Sequence, residues 1–273
     1  MCTVSWIHEP GGYQLFCNRD EARTRKPAVP PQVLDLQGVK TIAPRDGDFG
    51  GSWISVNEFG LTLCLLNFHQ TQRGPDFSLA QPVRRTEVWP TDFTSRGLLL
   101  MELASSRSRE EVLGRIAEVR LEKFQPFTLL TLMPCEAALM VRWDGGECLI
   151  DRDAEARMPL TSSSFDSGKV VEARKQRFHE LTADRVADVP SAPAIREVRT
   201  ERPRSSHASL LLEYHRSHDP APSAYSTCMH RIDAETVSFS RINVDSNSVE
   251  FRYHPHSPCR EGKAEIQVLP RAK

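Results

Sequence analysis

Cysteine is the second residue of this chain, and that position gives it chemistry the other cysteines lack. Removal of Met1 leaves Cys2 with a free α-amine, of pKa about 7.7 to 8.0 in an unperturbed chain, beside its own thiol. Such a residue is a nucleophile with a built-in base. The amine can take the thiol proton directly or through water and later return it to a leaving amine. Acyl transfer then requires donors preorganised for the developing oxyanion, which side-chain amides and backbone N–H groups at strand ends supply. The second chemical signal is the run Asn18-Arg19-Asp20-Glu21, which follows an apolar segment directly. One reading makes it a turn, with Asn18 at positive φ and Arg19 paired to an acid on the surface. The other sets Asp20 on the α-amine of Cys2 and Arg19 on the thiolate or substrate.

The second reading depends on the elements that hold these residues. Thr3 to Ile7 and Tyr13 to Cys17 are short β-prone runs separated by Gly11-Gly12, a hairpin pattern that returns the end of the second strand to the start of the first. A terminus pinned in a sheet holds its first side chain in place, which a frayed one does not. A polar, proline-bearing loop is expected from Asn18 to Pro31. Ser52 to Val56 and Leu61 to Phe68 form a second strand pair around a turn at Asn57 to Gly60. Arg96 to Ala104 and Arg109 to Val119 have helical apolar spacing, and Ser108 with Glu111 makes a capping box for the latter. Phe127 to Met133, Ala137 to Trp143 and Glu147 to Ile150 form a meander with a tight turn at Asp144-Gly145-Gly146. Gly168 to Ala183 and Ser206 to Arg216 read as helices, with a proline-rich, charged surface excursion at 184–204 between them. Tyr225 to Met229, Thr236 to Ile242 and Ser248 to Tyr253 read as strands. Grouped antiparallel strands and grouped helices define an α+β protein rather than a parallel doubly wound sheet. Gly50-Gly51-Ser52-Trp53 does not alter that, because it lacks the Lys-Ser or Lys-Thr of a phosphate loop and enters a strand.

Composition narrows the class further. Of 273 residues, 39% are hydrophobic and 26% charged, the balance of an ordinary folded domain with a sizeable core. Lys and Arg total 35 against 36 Asp and Glu, so no net field draws in nucleic acid, and Arg84-Arg85 and Arg202 to Arg204 read as solvated surface. No apolar run is long enough to cross a membrane, and Glu9 to Gly12 interrupt the position of a signal sequence; a cytoplasmic location is the expectation. Seven cysteines without a Cys-x-x-Cys pair read as reduced thiols. Cys17, Cys64 and Cys148, inside apolar runs, are expected to be buried. Trp6, Trp53, Trp89 and Trp143 are expected in the core or at its rim.

At Met1-Cys2, Asn18-Arg19-Asp20-Glu21, Gly51-Ser52-Trp53-Ile54-Ser55 and Leu66-Asn67-Phe68 the chain resembles the NRDE, or Transport and Golgi organisation protein 2, family. More distantly it is similar to penicillin V acylases and bile salt hydrolases. The resemblance implies a single domain over 1–273 with the N-terminal-nucleophile hydrolase fold, a four-layer α-β-β-α sandwich of mainly antiparallel sheets. It implies amide cleavage without a cofactor, with Cys2 as nucleophile, Arg19 and Asp20 as its partners, and Asn67 as oxyanion donor. Two positions depart from those hydrolases and that family. Leu160-Thr161-Ser162 has Ser162 where the hydrolases carry asparagine, and Tyr225 to His230 has Cys228 where the family often carries arginine. Asn18, Ser162, Cys228 and His230 are therefore possible pocket residues.

Three functions fit these residues: an amidohydrolase or acyltransferase acting on a small amide, a non-catalytic carrier of a hydrophobic ligand such as haem or a lipid, and a surface-only interaction protein. The carrier follows from the link between the family and membrane trafficking or haem handling; without Cys-x-x-Cys-His, haem would be bound non-covalently. Retention of Cys2, Arg19, Asp20 and Asn67 ranks the enzyme first. His207, His215, His218 and His230, with Cys228 and Asp219, form the densest set of potential metal ligands. They lack both His-Glu-x-x-His and Cys-x-x-Cys spacing, so no metal is expected. His215 and His218 are expected to face solvent at a helix end, and His230 to line the pocket near Cys2.

Overall fold

The computed structural model describes residues 2–69, 93–183 and 205–272. Strands β1 (Cys2–Glu9) and β2 (Gly12–Ala22) form the expected hairpin, with Cys2 opposite Arg19 and Glu9 opposite Gly12. Gly11 sits at φ 77°, a turn conformation that glycine adopts without a Cβ clash. Next come β3 (Val29–Leu36), β4 (Val39–Arg45), β5 (Ile54–Asn57) and β6 (Thr62–Asn67). Helices α1 (Arg96–Leu103) and α2 (Arg109–Glu118) lead to β7 (Phe127–Leu132), β8 (Leu139–Trp143), β9 (Cys148–Asp151) and the short β10 (Leu160–Thr161). Helices α3 (Ser167–Ala183) and α4 (Ser205–Arg216) precede β11 (Ala234–Val244), β12 (Ser248–His254) and β13 (Glu265–Pro270). Ser108 caps α2 as its spacing predicts, accepting from the Glu111 N–H at 3.1 Å.

The strands make two antiparallel sheets, ordered β10-β1-β2-β11-β12-β13 and β3-β4-β5-β6-β7-β8-β9. Between them Val4, Trp6, Leu15 and Cys17 meet Ile54, Val56, Cys64 and Leu130. Leu61, Leu63 and Leu65 point out of the second sheet onto Leu99, Leu100 and Leu103 of α1 and Val112 and Ile116 of α2. Phe16 and Phe239 point out of the first sheet onto Phe178, Leu211 and Tyr214 of α3 and α4. Three apolar layers thus separate four structural ones, the α-β-β-α sandwich, and each fully buried leucine or phenylalanine contributes about 1.5 to 3 kcal/mol.

Several expectations are corrected. The loop expected from Asn18 is strand as far as Ala22, and β3 begins at Val29 within the same span. The inner strand β4 and the edge strands β3, β10 and β13 were not anticipated; prolines at 30, 31 and 270 are tolerated on β3 and β13 because an edge strand leaves one row of N–H groups unpaired. Tyr225 to Met229 is irregular chain, joined to β11 by the His230–Glu235 bridge. Cys148 is exposed on the edge strand β9, whereas Cys17 and Cys64 are buried as expected. Trp6, Trp53 and Trp143 are buried. The excursion at 184–204, Trp89 and the two basic clusters lie outside the described residues.

Candidate functional site

Cys2 opens β1, which lies inside the first sheet between β10 and β2. Its carbonyl accepts from the Ser162 N–H at 2.9 Å, and its own nitrogen donates to Ser162 Oγ at 3.1 Å. That nitrogen, an amide while Met1 is attached, becomes the α-amine once Met1 is removed. The departure at Ser162 is therefore a direct partner of Cys2: the hydroxyl, lying one strand away, reaches the nitrogen itself. The thiol points between the sheets and is only 6% exposed. It meets a cavity of about 310 Å³ lined by Arg19, Asp20, Trp53, Asn67 and Arg96 among others. The four residues first expected at the site, Cys2, Arg19, Asp20 and Asn67, thus all border one cavity.

Strand alternation divides the tetrapeptide between two faces. Arg19, opposite Cys2, faces the cavity, where its guanidinium lies 4.2 Å from the centre of the Trp53 ring and donates to Asp46 at 2.5 Å. Asp46 also accepts from Arg25 and from the N–H groups of Asp48 and Phe49. Those backbone bonds and the two arginines hold its carboxyl below the usual range, against the opposing effect of burial. Asp20 faces the helices, where its carboxylate accepts from Arg174 Nη1 at 2.9 Å and Thr236 Oγ1 at 2.6 Å. Neither Asp20 nor Arg174 has any side-chain exposure. The β2–β11 register shifts between Thr236 and Ser238, opposite Asp20 and Arg19. A bulge of this kind re-aims side chains beside a site.

A hydrogen bond with Cys17 and burial both push the Cys2 thiol well up, and Cys17 Sγ is in turn 3.8 Å from Cys64 Sγ. The cavity wall opposite is set by two glycines. A Cβ on Gly51 would stand 2.4 Å from the Gly97 carbonyl carbon, so only glycine lets this loop touch the start of α1, where Arg96 enters the cavity. Burial holds the Arg96 guanidinium down to about 10, and its Nη1 donates to the Pro126 carbonyl at 2.8 Å.

The remaining candidates lie elsewhere. Asn18 donates to the carbonyls of His215 and Thr227, both at 2.9 Å, and its Oδ1 is 3.1 Å from His215 Nδ1. It ties β2 to α4 and does not border the cavity. His215, expected in solvent, is fully buried, with Nε2 2.9 Å from Ser5 Oγ; burial and Arg174 hold it down to about 3. Because both Asn18 amide hydrogens are donated, Oδ1 accepts from Nδ1–H, and Nε2 accepts from Ser5. Cys228 and His230 are neighbours of each other and do not border the cavity, which corrects the pocket expected around them. Sequence reasoning missed Arg96, Asp46 and Arg174 as site residues. Arg174 gives no signal, being one basic residue among several on an amphipathic helix. Asp46 stands beside the glycine-rich turn and Arg96 at a helix start, which are weak signals.

Two antiparallel sheets between helical layers, with a cysteine at the first position of an inner strand, define the N-terminal-nucleophile hydrolase type of fold. Penicillin V acylase from Agrobacterium tumefaciens superposes with a TM-score of 0.50 at 11% identity, over 93% of this chain and 83% of that one. A variant of conjugated bile acid hydrolase from Clostridium perfringens gives 0.49 at 12% identity, over 98% and 96%. No curated protein matches the sequence significantly. The chain belongs to the Transport and Golgi organisation 2 family, whose pattern it matches over residues 1–246. No helix among the described residues is long and apolar enough to cross a membrane.

Proposed function

We propose that the protein is a cysteine N-terminal-nucleophile amidohydrolase acting on a small amide. The observation that carries this is the Cys2 nitrogen 3.1 Å from Ser162 Oγ, on an inner strand whose thiol meets the cavity bordered by Arg19 and Asn67. After loss of Met1, Ser162 holds the α-amine so that its lone pair faces the thiol, a neutral S–H at rest. The amine takes the thiol proton as sulfur attacks the amide carbonyl, and the Asn67 amide donates to the oxyanion. Collapse expels the leaving amine, which takes that proton from the α-ammonium, and water, giving a proton to the α-amine as it attacks, then releases the acid from the thioester while the proton passes back to sulfur. Arg19, fixed by Asp46 and Trp53, orients the substrate. Asp20, locked by Arg174 and Thr236, keeps the strand end in register and lends its charge to the ammonium that forms.

The similarity to penicillin V acylase supports the scaffold for this reaction, and the size of the cavity suits a small molecule, at the lower end of the usual ligand range of about 300 to 1,000 Å³. Charged residues at 19, 21, 25, 46 and 96 line it, which disfavours haem or a lipid chain as occupant. Wild type and Cys2→Ser, each checked by intact mass for loss of Met1, are incubated with a panel of N-acyl amides. Turnover by wild type alone, with a thioester trapped on Cys2, is expected. Retained Met1 in active protein, or equal turnover by Cys2→Ser, overturns the reading. Tight haem binding that survives loss of Cys2, without amide turnover, identifies a carrier instead.

A further inference from the structure

Away from the cavity, four side chains from separate segments converge. His218 follows α4, Cys228 and His230 lie in the irregular chain before β11, and Cys259 lies between β12 and β13. One ligand atom from each is within 4.8 Å of the other three. His230 Nε2 is 3.5 Å from Cys228 Sγ and 3.3 Å from Cys259 Sγ. Tetrahedral zinc, with bonds of about 2.3 Å to sulfur and about 2.05 Å to nitrogen, sets adjacent sulfur and nitrogen ligands about 3.5 Å apart. Both separations fall close to that edge length.

A second observation is independent of these distances. His218 Nε2 is buried and has no hydrogen-bond partner among the described residues. The ring packs edge-on against His230, centroids 5.1 Å apart at 69°. Buried polar atoms are otherwise paired, so an orphaned imidazole nitrogen beside two thiols and a second imidazole has the character of a ligand awaiting its ion. The donor set is two sulfurs and two nitrogens with no carboxylate, which suits zinc and not the oxygen-seeking calcium or magnesium. Glu235 Oε2 lies 3.8 Å from His230 Nδ1, the ring nitrogen that does not contact the thiols. Carboxylates in that outer position orient ligating histidines.

We propose that His218, Cys228, His230 and Cys259 form a structural site for Zn²⁺. Binding replaces the two thiol protons, released to solvent, with two zinc–thiolate bonds, and two neutral imidazoles complete the tetrahedron. Four protein ligands leave no position for substrate or water, so the ion braces the fold and takes no part in catalysis. It joins the β12–β13 connection to the segment whose Ala224 and Thr227 carbonyls accept from Arg174 and Asn18. The metal thus backs the strand end that carries Arg19 and Asp20, whether or not the cavity hydrolyses amides.

Full-length protein purified without chelator is assayed for metal by mass spectrometry, then stripped, titrated with Zn²⁺ against a chromophoric chelator, and titrated with Co²⁺. One equivalent of zinc per chain is expected, and Co²⁺ should give the intense visible bands of a tetrahedral thiolate site. Loss of an outer-shell partner typically weakens metal binding by about 10 to 100-fold, so Cys259→Ser and His218→Gln, which remove ligands, should weaken Zn²⁺ by at least about 100-fold. Cys259 is exposed, so its variant should fold, as circular dichroism would show. Less than a tenth of an equivalent after incubation with Zn²⁺, or binding by both variants equal to wild type, overturns the proposal.

Discussion

Replacing Arg174 by methionine tests whether the buried ion pair holds the strand end at the candidate site. Arg174 Nη1 binds both Asp20 and Thr3, Nη2 binds the Ala224 carbonyl, and both charged side chains are fully buried. Methionine keeps much of the packing and removes the cation, leaving a carboxylate in a dry layer with Thr236 as a donor. Breaking a buried pair from one side costs about 3 to 5 kcal/mol, because the remaining charge has lost its compensation. For 273 residues the unfolding entropy is about 0.57 kcal/mol per degree, so the melting temperature should fall by roughly 5 to 9 °C. The double variant Arg174→Met, Asp20→Asn removes both charges and should recover part of that loss, with a coupling of about 0.5 to 3 kcal/mol. Scanning calorimetry on wild type, both single variants and the double variant closes the cycle. A melting temperature for Arg174→Met within about 2 °C of wild type, or losses that simply add in the double variant, would refute the ion-pair argument.

His215 offers a pH test. Its folded value is held down to about 3 while the unfolded side chain titrates near its ordinary value, so between those limits the unfolded state binds the extra proton. Stability should therefore fall on acidification from about pH 6.5 towards pH 3, by about 1.4 kcal/mol per unit from this group, and His215→Gln should flatten the urea midpoint across pH 7 to 5. An identical slope in the variant would show that other groups carry it. Gly51→Ala forces a Cβ to within 2.4 Å of the Gly97 carbonyl carbon, so overpacking should cost about 1 to 3 kcal/mol and shift the α1 start that carries Arg96. Urea unfolding with iodoacetamide labelling of Cys2 measures both effects; wild-type stability and labelling would mean that the two segments separate freely.

Several elements were legible because their residues leave few alternatives. The first hairpin, the β5–β6 pair and α2 with its Ser108 cap all combine the correct periodicity with a turn or cap signal, and each forms, although β2 runs on to Ala22 where Cys17 was its expected end. The β3–β4 pair was not, since the prolines and outward polar residues of β3 resemble a loop until β4 supplies its one ladder of hydrogen bonds. The site was half legible. Cys2, Arg19 and Asn67 are marked by position and motif, whereas Arg174 reaches Asp20 from 154 residues away and carries no local pattern. Of the cluster His218, Cys228, His230 and Cys259, the first three stood out in the sequence as potential ligands but were set aside for want of a spacing rule, and Cys259, which joins them only through tertiary packing, was missed.

Strand alternation explains why four consecutive polar residues occupy the end of an inner strand. Successive side chains leave opposite faces of a sheet, so such a strand can serve the inter-sheet cavity and the helix layer at once. Arg19, Asp20 and Glu21 border the cavity, but the side chains of Asn18 and Asp20 turn to the helices, Asn18 onto His215 of α4 and Asp20's carboxylate onto Arg174 of α3. Each outward contact is buried and fully specified, so slipping the strand by one residue would bury Arg19 in the helix layer and bring Asn18 opposite Cys2. The register that puts Arg19 across from Cys2 is thereby fixed from behind, by residues that touch neither the thiol nor the cavity's opposite wall. Asn18 is in this sense as necessary to the site as Arg19, and its exchange for a residue unable to donate twice and accept once should disorder the cavity without altering any group that lines it.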